Sequence, residues 1–171
     1  MGIYKEIKGN IFTKDKNVKS VWFVQCISRD LKMGAGIAVS FNREFNTKYL
    51  AMSRWDLLSE DTRKKIKCLR IDRVFNLITK EKYYNKPTLK TMEDALKDLA
   101  HNIETMIRAG KYIKEIRFPL IGCGLDKLYW QDVKSLLIKY VVNEFSDITF
   151  KVFYLREEDL YDKKVKKEKA E

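Results

Sequence analysis

Apolar positions along the chain fall into two rhythms. Short apolar, β-branched and aromatic runs at residues 4–7, 21–27, 74–79, 115–120 and 148–155 predict strands. The last run alternates at Ile148, Phe150, Val152 and Tyr154, which predicts a strand with one less-buried face. Between the runs the spacing changes to that of helices. Ile37, Phe41 and Phe45 share one helical face. Met92, Leu96, Leu99, Ile103 and Met106 form a longer stripe, and Trp130, Val133, Leu137 and Tyr140 a third. Pro87 marks the boundary before the long helix, with Thr88 or Thr91 as its N-cap. Residues 55–70 are polar and predict one short helix and a surface loop. Alternating strands and helices imply an α/β layer fold, with a mixed sheet covered on both faces.

Two glycine-bearing stretches stand where predicted strands give way to predicted helices: Met33-Gly-Ala-Gly-Ile-Ala38 and Ile121-Gly-Cys-Gly-Leu-Asp126. Glycine lets backbone N–H groups approach phosphate oxygens closely, and a following helix N-terminus adds unpaired donors and a favourable dipole. One such loop is ordinary turn chemistry. Two in one small chain suggest a clamp around a diphosphate.

Composition narrows the field. At 171 residues the chain predicts one domain with one substantial core. It has no run of 18 apolar residues and no hydrophobic signal region behind Met1, which argues against a membrane span or a secretory signal. Cys26, Cys68 and Cys123 lack any Cys-x-x-Cys spacing and, with the single His101, make no zinc site, so a reducing cytoplasm is expected. The 35 basic and 24 acidic residues give a net charge of +11. The end of the chain, 156–171, holds six of each sign, so the excess lies on the body. That suits nucleic acid or a multiply charged nucleotide, although a solvated surface explains it equally well.

Six blocks, Lys8-Gly-Asn-Ile-Phe12, Cys26-Ile-Ser28, Met33-Gly-Ala-Gly-Ile-Ala38, Leu77-Ile-Thr-Lys80, Lys86-Pro-Thr88 and Ile121-Gly-Cys-Gly-Leu-Asp126, occur in the order and approximate spacing seen in macrodomains. The chain most resembles the terminal ADP-ribose protein glycohydrolase branch, over residues 3–155, and antitoxin macrodomains that remove ADP-ribose from thymidine in DNA look related. The resemblance implies a three-layer α/β/α sandwich over residues 1–157, with a charged, frayed tail at 158–171. ADP-ribose would lie across the carboxyl ends of the strands, where open α/β sheets bind ligands.

The same resemblance assigns roles. Lys80 is the expected nucleophile, attacking the anomeric carbon of the distal ribose. It must do so as the neutral amine, a form that burial and the neighbouring Lys82 and Lys86 would favour. Asp126 is the expected general acid–base, although an aspartate at the start of a helix is also a good N-cap. Met33, Gly34, Ala35, Gly36 and Ile37 on one side, and Ile121, Gly122, Cys123, Gly124 and Leu125 on the other, would hold the diphosphate and distal ribose. Cys123 has no histidine placed to activate it. Asn10 stands where the family usually has the aspartate that accepts from the adenine amino group; its carbonyl can still accept, without charge assistance. Ile11 and Leu155 would supply apolar contact or backbone polar groups around the base, and the Ser28 hydroxyl would reach the ligand. His101 and Trp130 predict surface and core respectively.

No metal or cofactor is implied. The expected activity is removal of mono-ADP-ribose from acidic side chains, with O-acetyl-ADP-ribose as a further ester. The alternatives are thymidine-linked ADP-ribose in DNA, a non-catalytic ADP-ribose reader, and an ADP-ribose 1″-phosphate phosphatase. The expected partners are therefore ADP-ribose and ADP-ribosylated protein or DNA, met by a monomeric cytoplasmic chain without membrane contact.

Overall fold

The computed structural model describes residues 1–161. Six strands, β1 (Ile3–Lys8), β2 (Val21–Ser28), β3 (Cys68–Ile71), β4 (Val74–Lys80), β5 (Glu115–Phe118) and β6 (Thr149–Tyr154), form one sheet in the order β1-β6-β5-β2-β4-β3. Every pairing is parallel except β3 with β4. The sheet is therefore mixed, and helices cover both faces.

On one face, α4 (Leu89–Arg108) and α5 (Trp130–Tyr140) bury Met92, Leu96, Leu99, Ile103, Trp130, Val133 and Leu137 against Trp22, Val24, Phe75, Leu77, Ile116 and Phe118. Both threonines at the head of α4 act together. The Thr88 hydroxyl accepts from the Thr91 N–H at 3.1 Å, and the Thr91 hydroxyl accepts from the Thr88 N–H at 2.9 Å. This reciprocal capping box fixes the first turn. On the other face lie α1 (Ile37–Phe45) and α2 (Thr47–Asp56), contributing Phe41, Ala38 and Ala51 to two smaller clusters with Phe23, Ile27 and Ile78.

The region around residues 55–70 differs from its expected form. There, α2 runs to Asp56, a short helix α3 covers Glu60–Lys65, and Cys68–Ile71 is a strand rather than loop. Buried Cys68, Leu69 and Ile71 make too short a run to stand out, but a tight turn with Asp72 at φ 53° folds them back on β4. The helix α2 escapes a periodicity reading because its apolar residues mark no single face: Ala51 is buried while Tyr49 and Met52 are exposed.

The expected less-buried face of β6 is present, with Thr149, Lys151 and Phe153 half-buried while Phe150 and Val152 are fully buried. Phe153 lies 5.5 Å beneath the Arg117 guanidinium, and Lys151 pairs with Glu115 at 2.6 Å. The folded body continues past residue 157, since Leu160 is buried and its carbonyl accepts from Gln131 at 2.8 Å. The rest of the expected frayed tail, from residue 162 onward, lies outside the described residues. No helix among the described residues is long and apolar enough to cross a membrane.

Candidate active site

Lys80 is the last residue of β4, so it emerges at the carboxyl end of an interior strand, next to the edge strand β3. Its Nζ lies 2.6 Å from Asp126 Oδ1, and each side chain is 15% exposed. The residues that sequence assigned to catalysis therefore form one sheltered ion pair, across 46 positions of chain. What faces the amine is a carboxylate rather than another cation. Lys82 is exposed, and Lys86 Nζ donates to the Leu125 carbonyl at 2.7 Å.

Two loops wall this pair. In the first, Met33 is buried with φ 47°, Gly34, Ala35 and Gly36 are exposed, and α1 starts directly behind Gly36. Gly36 takes φ 64°, no side chain caps the helix, and its first turn holds no acid. An uncapped helix end free of nearby negative charge favours an anion. In the second loop, Cys123 N–H donates to the Leu120 carbonyl at 3.1 Å and Leu128 N–H to the Gly122 carbonyl at 2.8 Å. Gly122 is required here: its φ is 74°, and a Cβ would come within 2.7 Å of Met92 Cε. The loops meet where Leu125 Cδ1 would lie 3.3 Å from a Cβ on Gly36.

The second loop departs from expectation in one respect. Asp126 is no N-cap, because α5 begins only at Trp130, behind extended Tyr129. The turn closed by Leu128, with Lys127 at φ 63°, intervenes and leaves Asp126 free to face Lys80. Ile121 is buried in the main core, and Leu125 is 61% exposed at the rim.

Cysteine chemistry is disfavoured at this floor. Burial, then the Asp126 and Cys123 charges, push the Cys26 thiol far up, keeping it protonated. The Cys123 thiol donates to the Ile121 carbonyl at 3.3 Å.

At the far end of the crevice, Lys8 and Tyr154 are paired on adjacent strands, which brings Asn10 and Leu155 to neighbouring strand ends. Both are exposed, and Asn10 Oδ1 accepts from the Phe12 N–H at 2.9 Å, leaving one lone pair for a ligand. The Ile11 side chain does not flank this end. It is buried with Val21, Phe23 and Phe41, so only its backbone could serve a base. Ile37 likewise packs half-buried on that cluster.

Ser28 is buried and turns its hydroxyl to Asp30 Oδ1 rather than into the crevice. Asp30 also accepts from the Lys32 N–H at 3.3 Å and, through Oδ2, from the Tyr83 N–H at 2.9 Å. This carboxylate, missed in the sequence, joins the first glycine loop to the turn that follows Lys80. The spacing Ser28-Arg29-Asp30 just past a strand is its only local signal. Burial alone would raise the Asp30 carboxyl, but the bonds from Ser28, Tyr83 and Lys32 outweigh it and hold it below its usual value. The junction is therefore complete above about pH 3.8, the ordinary aspartate value, and is lost as pH falls through the lower folded-state value. Asp30→Asn replaces an acceptor with a donor, and is expected to weaken ADP-ribose affinity roughly fivefold, the equivalent of about 1 kcal/mol. Calorimetry at neutral pH checks the affinity, and the variant's melting midpoint should respond less than wild type to acidification below about pH 4.

His101 is exposed on α4, where it lines a separate concavity of about 590 Å³ with Asp61, Lys65, Lys67, Asp94 and Asp98. Several of these groups already satisfy one another: Lys65 pairs with Asp61 at 3.1 Å, and Asp98 accepts from the Lys67 N–H at 2.9 Å.

No protein-family model matches the chain. A human protein named ADP-ribose glycohydrolase OARD1 is 30% identical over 152 residues, covering 87% of this chain and 90% of that protein, and its Bos taurus counterpart matches equally. Among solved structures, the macrodomain of Mycobacterium tuberculosis DarG superposes with a TM-score of 0.69 at 20% identity, covering 91% of this chain and all of that one. The macrodomain of Thermus aquaticus DarG gives 0.68 at 20% identity, covering 90% and 99%. Thermosipho africanus DarTG, solved in complex with ADP-ribose, gives 0.62 at 18% identity, covering 94% of this chain and 45% of that one. With a sheltered lysine–aspartate pair between two glycine loops, and a 30% identical relative matched over nearly its whole length, the chain belongs to the macrodomain family of OARD1.

Proposed function

We propose that the protein is an ADP-ribosyl hydrolase that releases mono-ADP-ribose from acidic side chains, with Lys80 as nucleophile and Asp126 as acid–base. The 2.6 Å contact between Lys80 Nζ and Asp126 Oδ1 carries this reading. The contact puts the Asp126 carboxylate within reach of a proton on the Lys80 amine. When a substrate displaces water from the crevice, a separated charge pair loses its solvation, and transfer to Asp126 leaves a neutral amine beside a carboxylic acid.

ADP-ribose would span the strand ends, with adenine near Asn10 and Leu155 and the diphosphate between Gly34–Gly36 and Gly122–Gly124. The Lys80 lone pair then attacks C1″ of the distal ribose. The C1″–O bond breaks, its electrons leave with the side-chain carboxylate, and the ring oxygen stabilises the positive charge that develops at carbon. Deprotonation of the new amine and ring opening give an imine, with the proton supplied to the ring oxygen by Asp126. Water adds to the imine, expels Lys80 and frees ADP-ribose. An ester is the most labile linkage for such a site, since a carboxylate departs with little acid assistance.

The test is trapping. Borohydride added during turnover of a glutamate-ester peptide should reduce the imine to a stable amine, adding one ADP-ribosyl unit to the peptide fragment that contains Lys80. Full turnover with no adduct at any lysine under reducing conditions would overturn the covalent route. The ADP-ribose reader, the second use of such a pocket, predicts tight binding with no product from any linkage.

A further inference from the structure

The proposed acid sits on a stretch with no backbone pairing of its own. Among the described residues, neither the N–H nor the carbonyl of Leu125 or Asp126 joins a backbone–backbone hydrogen bond. Cys123 N–H donates to Leu120, Lys127 N–H to Gly124 and Leu128 N–H to Gly122, bonds that fold the loop but involve neither residue. Two side-chain contacts hold the stretch instead. Lys80 Nζ lies 2.6 Å from Asp126 Oδ1, and Lys86 Nζ donates to the Leu125 carbonyl at 2.7 Å.

The backbone that carries Lys86 is itself fixed. Before it, Lys82 N–H donates to Asn85 Oδ1 and Asn85 N–H to the Lys82 carbonyl, each at 2.9 Å. After it, Pro87 is buried and Thr88 opens α4 through the capping box. A proline of fixed φ and a capped helix leave this segment little freedom. An ammonium bonded to a carbonyl is also stronger than a neutral pair. The segments that carry Lys80 and Asp126 are therefore tied twice. The proposed chemistry breaks one tie, because Lys80 Nζ must leave Asp126 to bond C1″ before Asp126 delivers its proton. The other tie survives, since Lys86 makes and breaks no bond to the sugar.

We propose that Lys86 is a positioning residue for Asp126: its ammonium holds the Leu125 peptide, so that the carboxyl keeps its proton-transfer distance after Lys80 has turned to C1″. The proposal rests on the hydrolase reading of Lys80 and Asp126. Proton transfer needs heavy atoms about 3 Å apart, and a displacement of about 1 Å can cost on the order of 10²-fold in rate.

The test is a double-mutant cycle on a glutamate-ester peptide. Lys86→Met keeps the stem but removes the donor. It should lower kcat about 10- to 100-fold, while KM and ADP-ribose affinity stay within about threefold. Lys86→Arg, which can still donate, should recover most of the rate. Lys90→Met removes an equal charge from an exposed position at the head of α4, and should leave the rate within about twofold. In an Asp126→Asn background, Lys86→Met should cost less than about twofold, because the proton it helps to deliver is already gone. A loss of equal size in both backgrounds, or one confined to KM, would overturn the assignment.

Hydrogen exchange separates the tether from the chemistry. The Cys123, Lys127 and Leu128 amides should exchange about tenfold faster in Lys86→Met, with the melting midpoint unchanged. Unaltered exchange at these amides would overturn the tether whatever the kinetics. Faster exchange beside an Asp126→Asn variant of wild-type rate would instead uphold the tether and remove Asp126 from the hydrolase reading.

Discussion

Lys80→Ala is expected to lower kcat on a glutamate-ester substrate by about 10⁴-fold or more, the scale on which enzymes lose rate when a nucleophile is removed. ADP-ribose should still bind, because the glycine loops and the strand ends that would hold it are untouched. One electrostatic side effect needs a control. Without the ammonium, the sheltered Asp126 carboxylate would face an anionic ligand with no counter-charge, and affinity would fall for a reason unrelated to nucleophilicity. Combining Lys80→Ala with Asp126→Asn removes that charge, so the double variant should bind ADP-ribose at least as tightly as the single one. Asp126→Asn alone should slow turnover about 10²- to 10⁴-fold, as expected for a lost acid–base. The loss should be smaller for an ester than for a base-linked substrate, whose leaving nitrogen needs a proton. Single-turnover rates beside calorimetry check each outcome. Wild-type turnover by Lys80→Ala would remove the nucleophile from the proposal.

Much of this arrangement was legible in the sequence because one-dimensional signals mark it. The carboxyl end of an apolar run places Lys80, paired glycines place the loops, and helical stripes place α4 and α5 beneath the sheet. What stayed hidden depends on contacts between distant segments. Nothing near Asp126 announces that Lys127 adopts a left-handed backbone and delays α5 to Trp130. The sequence suggested a like-charged neighbour for Lys80, whereas folding supplies an opposite one from 46 residues away. Ile11 reads as an apolar or backbone contact beside Asn10, and the chain turns there and sends its side chain into the core. Two arginines, Arg73 half-buried and Arg117 buried, were the least visible feature. Arg73 donates to the carbonyls of Lys16, Val18 and Val21, and Arg117 gathers the same connection farther up, so two side chains organise a segment with no periodicity of its own.

Arg117 gives the largest expected effect on stability. It projects from β5 under the β1–β2 connection, with its side chain 5% exposed. Nη1 donates to the carbonyls of Ile11 at 3.0 Å and Thr13 at 2.6 Å, Nη2 to that of Lys14 at 2.8 Å, and Nε to Glu115 at 2.6 Å. The guanidinium also lies 5.7 Å from the Phe23 ring centroid and 5.5 Å from that of Phe153. Arg117→Met keeps apolar bulk between the rings but strands three carbonyls and half of the Glu115 pairing. A loss of about 3–5 kcal/mol is expected, typical of breaking one side of a buried ion pair. At this chain size that lowers the melting midpoint by roughly 10 °C. Arg117→Lys should rescue little, since one ammonium cannot match a planar fork with this many partners. Function should follow, because the loosened segment carries Asn10 at the proposed adenine end, and ADP-ribose affinity should fall with stability. Acid supplies an independent signature. Burial would raise the Glu115 carboxyl, but Lys151 and Arg117 together hold it below its ordinary 4.5. Its stabilising share is full above that value and is lost as pH falls through the lower folded-state value. Removing Arg117 removes part of that share, so the gap between wild-type and variant midpoints should be widest near neutrality and narrow below about pH 4.5. A gap that stays constant through the acid range would mean that Arg117 acts by packing on Phe23 and Phe153 rather than by its charge.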